Sequence, residues 1–324
     1  MPTVGYNVVH APTHTGSTAL NVCLVNAGAE ATFECFIRKF FAGRHRGCAD
    51  VFSFAQWRYS VAMSYDDETP PVANLGGPAN TLVTGASSGI GLAIVRRLLE
   101  NRHVDCVFAV SRSATRSEAL NSLYATFAGK LRLVDADITR ESDLQCVAAA
   151  TESIDALHLV VNAAGVLHGP GIAPEKSIEQ ASAENFERVF ALNAFAPLLL
   201  AKTLLPKLCR KQPAIFASLS ARVGSIGDNR AGGWYAYRAS KAAQNQLLKT
   251  FSIEWKRRNP QGICLLLHPG TVDTPLSTPF QANVQPHKLF DSKMAADQLL
   301  RVIVGSTPAD SGRFIAWDGT EVPW

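Results

Sequence analysis

Seven short apolar runs alternate with six stretches of helical periodicity from Asn80 to the C-terminus, and this alternation restricts the fold more than any other feature of the 324-residue chain. The runs are 80–84, 104–110, 131–134, 156–161, 213–219, 262–267 and 312–316, and the helical stretches are 89–101, 114–127, 141–151, 182–209, 235–258 and 290–304. Strands that are apolar on both faces belong to a sheet covered by helices on both sides, and strand–helix–strand repeats connect parallel neighbours. The expectation is an α/β fold: a doubly wound, mostly parallel seven-stranded sheet of the Rossmann type, with ligands outside the carboxyl ends of the strands.

At the end of the first run stands Thr84-Gly85-Ala86-Ser87-Ser88-Gly89-Ile90-Gly91, followed at once by a helical pattern. Strand, glycine loop and helix in that order aim free backbone N–H groups and the positive end of a helix dipole at one point, which suits a pyrophosphate. The glycines are spaced G-x-x-x-G-x-G.

Further on, Tyr237 and Lys241 are four apart in a helical stretch. That spacing puts both on one helix face, where an ammonium near a phenol favours the phenolate. The expectation is a tyrosine whose pKa is depressed by Lys241 and which exchanges a proton with a substrate oxygen, as carbonyl reduction requires.

With both motifs in this order, the chain resembles the short-chain dehydrogenase/reductase family, classical type, over residues 79–324. Other segments carry the same resemblance: Asp137-Ile138-Thr139, Asn162-Ala163-Ala164-Gly165 with Ala163 in place of the family's second Asn, Asn193 in its helix, and Pro269-Gly270-Thr271-Val272-Asp273-Thr274. Strings such as Ser220-Ala221-Arg222-Val223-Gly224-Ser225-Ile226, Gly232-Gly233-Trp234-Tyr235 and the ending Pro323-Trp324 are similar to C-factor and sniffer-like carbonyl reductases. The resemblance implies NAD(P)-dependent interconversion of a carbonyl and an alcohol, with Tyr237, Lys241, Asn193 and a serine as catalytic residues. It implies a cofactor held by Gly85, Ser87, Ser88, Gly89, Ile90, Gly91, Arg112, Asp137, Ile138, Asn162, Ala163, Gly165, Tyr237, Lys241, Pro269, Gly270, Val272 and Thr274. A C-factor-like signalling or scaffold protein that binds nucleotide with little turnover is the alternative.

The catalytic serine is where the chain departs from the family. The usual position, three before the glycine, is Ala221, so Ser220 is the expected donor to the carbonyl oxygen, with Ser225 competing and Ser218 too far back. One residue's offset turns a strand side chain to the other face unless a bulge re-aims it. For the cofactor, the run 104–110 ends in Ser111-Arg112-Ser113, without an acid to accept from a ribose 2′-hydroxyl. NADP(H) is therefore expected over NAD(H), with Arg112 on the 2′-phosphate.

The remaining features narrow the class. A net charge of +4 with dispersed Lys and Arg argues against nucleic acid, and no apolar stretch is expected to span a membrane. Seven cysteines without a Cys-x-x-Cys pair suggest reduced thiols, and His268 has no second ligand at metal spacing, so no metal is expected. The partners expected are a small carbonyl or alcohol substrate and a second copy of the chain. Residues 1–78 fit no α/β pattern and end in the turn-rich Asp66–Pro71 and Gly76-Gly77-Pro78. They are read as an N-terminal extension closed by a linker. Its bias of basic over acidic residues leaves three readings open: an organelle-targeting segment in an otherwise cytoplasmic protein, a disordered extension, or an upstream translation artefact.

Overall fold

The computed structural model describes residues 68–209, 211–282 and 284–324, together with a short antiparallel strand pair, Asn7–Val9 with Val22–Leu24. Two compact units are distinguished, residues 1–51 and 52–324. The targeting reading of the N-terminal segment lies outside the described residues.

The second unit is built on seven parallel strands: β1 (Ala79–Thr84), β2 (Val104–Ser111), β3 (Leu131–Asp135), β4 (Leu159–Asn162), β5 (Ala214–Leu219), β6 (Gly262–His268) and β7 (Arg313–Ala316). Their spatial order is β7-β6-β5-β4-β1-β2-β3, and every pair is parallel. Between them run α1 (Gly89–Glu100), α2 (Glu118–Phe127), α3 (Glu141–Ala150), α4 (Ala183–Phe190), α5 (Ala196–Leu208), α6 (Tyr235–Arg258) and α7 (Ser292–Val304). The expected doubly wound sheet is what the chain forms.

Alternation within the strands explains the two layers. Val83, Val161, Ala217 and Leu265 pack with Ile94 and Leu98 of α1 and Leu299 of α7 on one face. Leu82, Val160, Phe216 and Leu266 pack with Leu144 of α3, Leu204 of α5 and Trp255 of α6 on the other. Both sheet faces are dry, so the strands read as apolar runs without polar alternation. The order reverses direction between β1 and β4, which opens a crevice at their carboxyl ends.

Two segments differ in detail from their sequence reading. The run Ala183–Leu208 is a 26-residue helical stretch of mean hydropathy 1.6, long and apolar enough to cross a membrane. Its apolar content has another use here: Ala196, Leu200, Ala201, Leu204 and Leu208 are buried against the sheet and α6. Residues 68–78, read as a linker, are tied to the domain. Val72 is 2 % exposed and belongs to the core, Asn101 Nδ2 donates to the Thr69 carbonyl at 2.8 Å, and Arg102 pairs with Glu68.

Candidate active site at the carboxyl ends of the strands

The glycine loop leaves β1 through Gly85 and Gly89, both in the left-handed region at φ +66° and +52°. A Cβ on Gly85 would stand 2.8 Å from the Ala164 nitrogen, and one on Gly91 only 2.2 Å from the Gly85 carbonyl oxygen. Only glycine lets the loop lie on the end of β4 and on the first turn of α1 at once. That turn has no side-chain cap at Ser88 and no acidic residue, so no side chain of its own competes for its N–H groups. Ser87 and Ile90 are half-buried and Ser88 is exposed at the same end.

Neighbouring strand ends supply the rest of the crevice. Arg112 follows β2, exposed and without a hydrogen-bond or ion-pair partner among the described residues. Beyond β3, Asp137 accepts from the Thr139 nitrogen and hydroxyl at 3.0 and 2.7 Å, and Ile138 is buried. Asn162 closes β4 fully buried: Thr84 Oγ1 donates to its Oδ1 at 2.6 Å, and its Nδ2 donates to Ser218 Oγ at 2.8 Å. Its amide thus braces β1 and β5, and Ala163 and Gly165 continue from it. A Cβ on Gly165 would lie 3.4 Å from Asn193 Oδ1 and 3.7 Å from Lys241 Nζ, so this glycine sits between the two side chains.

From β6 the chain turns through Pro269 and Gly270, φ +78°, where a Cβ would come within 2.7 Å of the Phe290 ring. Thr271–Val272 pairs in parallel with Leu289–Phe290. Thr274 brings the segment back to the glycine loop, its Cγ2 3.0 Å from where a Gly89 Cβ would be. The residues expected from β1, β4, β6 and α6 therefore converge on one crevice.

Tyr237 and Lys241 stand on the first two turns of α6, 8 % and 3 % exposed, with the ammonium 5.9 Å from the phenol ring centroid. Lys241 Nζ donates to the Leu219 carbonyl at 2.8 Å and to Gln244 Oε1 at 2.9 Å. Burial pushes the Tyr237 phenol up to about 12 and the Lys241 ammonium down to about 7. This reverses the expected depression of the phenol: desolvation outweighs the attraction of an ammonium that is directed at two other acceptors. Asn193 lies in a π-helical turn, Ala191–Phe195, between α4 and α5. Its side chain is fully engaged, donating to the Val166 carbonyl (2.8 Å) and Ser240 Oγ (3.1 Å) and accepting from the Val166 nitrogen (2.8 Å).

Residues 79–285 match the family model described as short chain dehydrogenase. The chain belongs to the short-chain dehydrogenase family. It is accordingly an oxidoreductase of the dehydrogenase/reductase class. A dehydrogenase of Rhodococcus sp. (strain AD45) that acts on 1-hydroxy-2-glutathionyl-2-methyl-3-butene is 30 % identical over 247 residues, 76 % of this chain and 100 % of that protein. The C-signal of Myxococcus xanthus is 40 % identical over 138 residues, 42 % of this chain and 77 % of the relative. Among solved structures, NADPH-bound carbonyl reductase from chicken fatty liver superposes with a TM-score of 0.68 at 27 % identity, and the carbonyl reductase Sniffer of D. melanogaster with 0.67 at 25 %. Each covers 76 % of this chain and 100 % of its own.

Within this short-chain dehydrogenase the hydroxyls of the candidate serines are each engaged by other groups. Ser220 Oγ donates to Asn245 Oδ1 at 2.6 Å in a buried contact. Asn245 is eight residues along α6 from Tyr237, about 12 Å at 1.5 Å per residue. The hydroxyl is thus held two turns away from the phenol, because Ser218 and Ser220 share the strand face that meets Gln244 and Asn245. Ser225 accepts from the Asp228 nitrogen and donates to the Trp324 carbonyl, so it anchors the C-terminus. Ala221, half-buried, occupies the position after Ser220. His268 accepts from the Arg222 nitrogen through Nδ1 at 3.3 Å. Burial, helped by the Arg222 charge, pushes its pKa down to about 4, so it is neutral.

One site residue had no sequence signal. Glu175, 2 % exposed, accepts from Asn185 Nδ2 at 2.6 Å and from the Ala236 nitrogen at 3.2 Å. Helix α6 lacks a cap of its own, since its N-cap is Trp234 in the left-handed region at φ +54°. The Glu175 carboxylate supplies the cap from 61 residues upstream and fixes the turn that carries Tyr237. A cavity of about 390 Å³, lined by Leu75, Pro78, Asn80, His158 and Gln212, lies at the opposite ends of the strands and touches none of these residues.

Proposed function

We propose that this short-chain dehydrogenase is an NADPH-dependent carbonyl reductase, able to run in reverse as an alcohol dehydrogenase, with Tyr237 as its general acid. The observation that carries the reading is the convergence of the open α1 N-terminus, the glycine cradle, Tyr237 and Lys241 on one crevice. The residues present fit a dinucleotide: Gly85 to Gly91 for the pyrophosphate, Ile138 and Asp137 for the adenine end, and Pro269 to Thr274 with Asn162, Ala163 and Gly165 at the nicotinamide end. The chicken and Drosophila carbonyl reductases, the first with NADPH bound, support both cofactor and reaction. Arg112, free of a partner among the described residues, suits a 2′-phosphate better than a bare ribose.

When bound, the reduced cofactor supplies a hydride. The protein's own task is then the proton. A phenol held near 12 is fully protonated at neutral pH, and the alkoxide left by hydride addition is a stronger base, so the transfer from Tyr237 Oη runs downhill. Lys241, held at the Leu219 carbonyl beside the phenol, is placed to hold the ribose, and Asn193 keeps the π turn in place beside Gly165. Tyr237 acts without the serine expected beside it, since the hydroxyls of Ser218, Ser220 and Ser225 are all committed elsewhere.

That missing hydroxyl favours one second reading, a nucleotide-binding signalling protein with little turnover, for which the C-signal relative is the precedent. Loss of NADPH absorbance with a panel of aldehydes and ketones separates the two. Turnover supports the reductase. NADPH binding without oxidation by any carbonyl supports the signalling protein.

A further inference from the structure

Lys241 is not free to reach Tyr237 because something holds it. Its ammonium is shared between the Leu219 carbonyl and Gln244 Oε1. Gln244 is 0 % exposed and spends its other end on Ser218 Oγ at 2.7 Å, with a longer contact to the Leu219 carbonyl at 3.3 Å. Ser218 in turn accepts from Asn162 Nδ2, and Asn162 Oδ1 accepts from Thr84 Oγ1. Thr84 is the last residue of β1, and Gly85 follows it. A buried side-chain network therefore joins Lys241 to the root of the glycine loop across β5, β4 and β1. A glutamine on the buried face of α6, among Leu248, Phe251 and Trp255, is costly to bury unless both ends of its amide are matched, and here they are.

We propose that Gln244 is a positioning residue for Lys241: it fixes the ammonium at the Leu219 carbonyl and, through Ser218, Asn162 and Thr84, couples it to the strand end that bears the cofactor loop. The proposal rests on Lys241 serving the proposed dinucleotide site. The groups facing Lys241 are Tyr237 and Gln244 on its own helix, Leu219 on β5, and Asn193 across Gly165. Among the described residues no carboxylate and no second cation forms a contact with it, so Gln244 Oε1 is the polar side-chain atom that selects the charged form. Removing that acceptor makes the ammonium easier to deprotonate, and a carboxylate in its place makes it harder.

The test compares full-length wild type with Gln244→Leu and Gln244→Glu, reading the pH dependence of NADPH affinity by fluorescence and of kcat by absorbance. The protonated lysine is lost as pH rises through its pKa, so both quantities have an alkaline limb. In Gln244→Leu the limb moves to lower pH by about half a unit or more, and in Gln244→Glu it moves to higher pH by about one unit. Opposite shifts from one position are not produced by simple packing damage. Should Gln244→Leu fail to fold, Ser218→Ala, which releases the far end of the amide, moves the limb in the same downward direction. Limbs that stay in place, or that move the same way in Leu and Glu variants, overturn the proposal. A wild type that binds NADPH but reduces no carbonyl refutes the reductase reading, while the affinity limbs still decide the role of Gln244.

Discussion

Lys241 Nζ lies 5.9 Å from the centre of the Tyr237 ring yet donates to Leu219 and Gln244, so the two residues of the pair are neighbours that share no hydrogen bond. Burial opposes the charged form of each, pushing the phenol up to about 12, so that it stays neutral, and the ammonium down to about 7, so that its charge is lost as pH rises through neutrality.

Stability should carry the mark of that burial. Lys241 has its ordinary value near 10.5 when unfolded and about 7 when folded, so between these pH values the unfolded chain binds more protons and stability rises with pH. Tyr237 acts in the opposite sense above about 10, where the unfolded phenol ionises first. Thermal unfolding of Lys241→Met is expected to show a higher Tm than wild type at pH 7 and a flatter rise toward pH 10. Parallel profiles for the two proteins would show that the lysine is not buried as described.

Arg112 is expected to choose the cofactor. A charge-assisted hydrogen bond is worth about 1.5–3 kcal/mol, so Arg112→Ala should weaken NADPH binding by about tenfold or more and change NADH binding little. Titration with both cofactors decides it, and equal losses for the two would remove Arg112 from the 2′-phosphate.

The serine assignment yields a paired outcome. Ser220→Ala should leave kcat within about twofold but lower stability by about 1–3 kcal/mol, because Asn245 Oδ1 is left buried without its donor. Ala221→Ser should raise kcat, since it adds a hydroxyl one residue on, where the chain turns from the sheet. A large kcat loss in Ser220→Ala with normal unfolding would restore that serine to catalysis.

The alternation of apolar runs made the sheet legible because parallel strands buried on both faces have no polar positions to blur them. Gly85, Gly89 and Gly91 were legible because backbone crowding at Gly85 and Gly91 and the left-handed φ of Gly85 and Gly89 exclude larger residues. The Ser220–Asn245 contact was not legible because at the end of β5 sequence position does not say which face a side chain takes, and Asn245 is 25 residues away. Glu175 and Gln244 left no signal for a related reason. A carboxylate between Pro174 and Lys176 reads as solvated loop, and a glutamine within Tyr235–Arg258 reads as helix surface, until the fold brings Ala236 and Lys241 to them.

We also expect the enzyme to fold from residue 68. A chain of residues 68–324 should be soluble and bind NADPH, whereas starting at Asn80 strips Val72 from the core and costs about 1.5–3 kcal/mol for that side chain. Equal thermal stability of the two truncations would show that 68–78 adds nothing.

The most direct measurement is steady-state carbonyl reduction and NADPH affinity in Tyr237→Phe, which removes one oxygen from a buried ring. Loss of the general acid should lower kcat by on the order of 10²–10⁴ while the NADPH dissociation constant stays within about twofold. Near-normal turnover in the purified variant would contradict the account and move the acid elsewhere, with the exposed Tyr235 the first alternative.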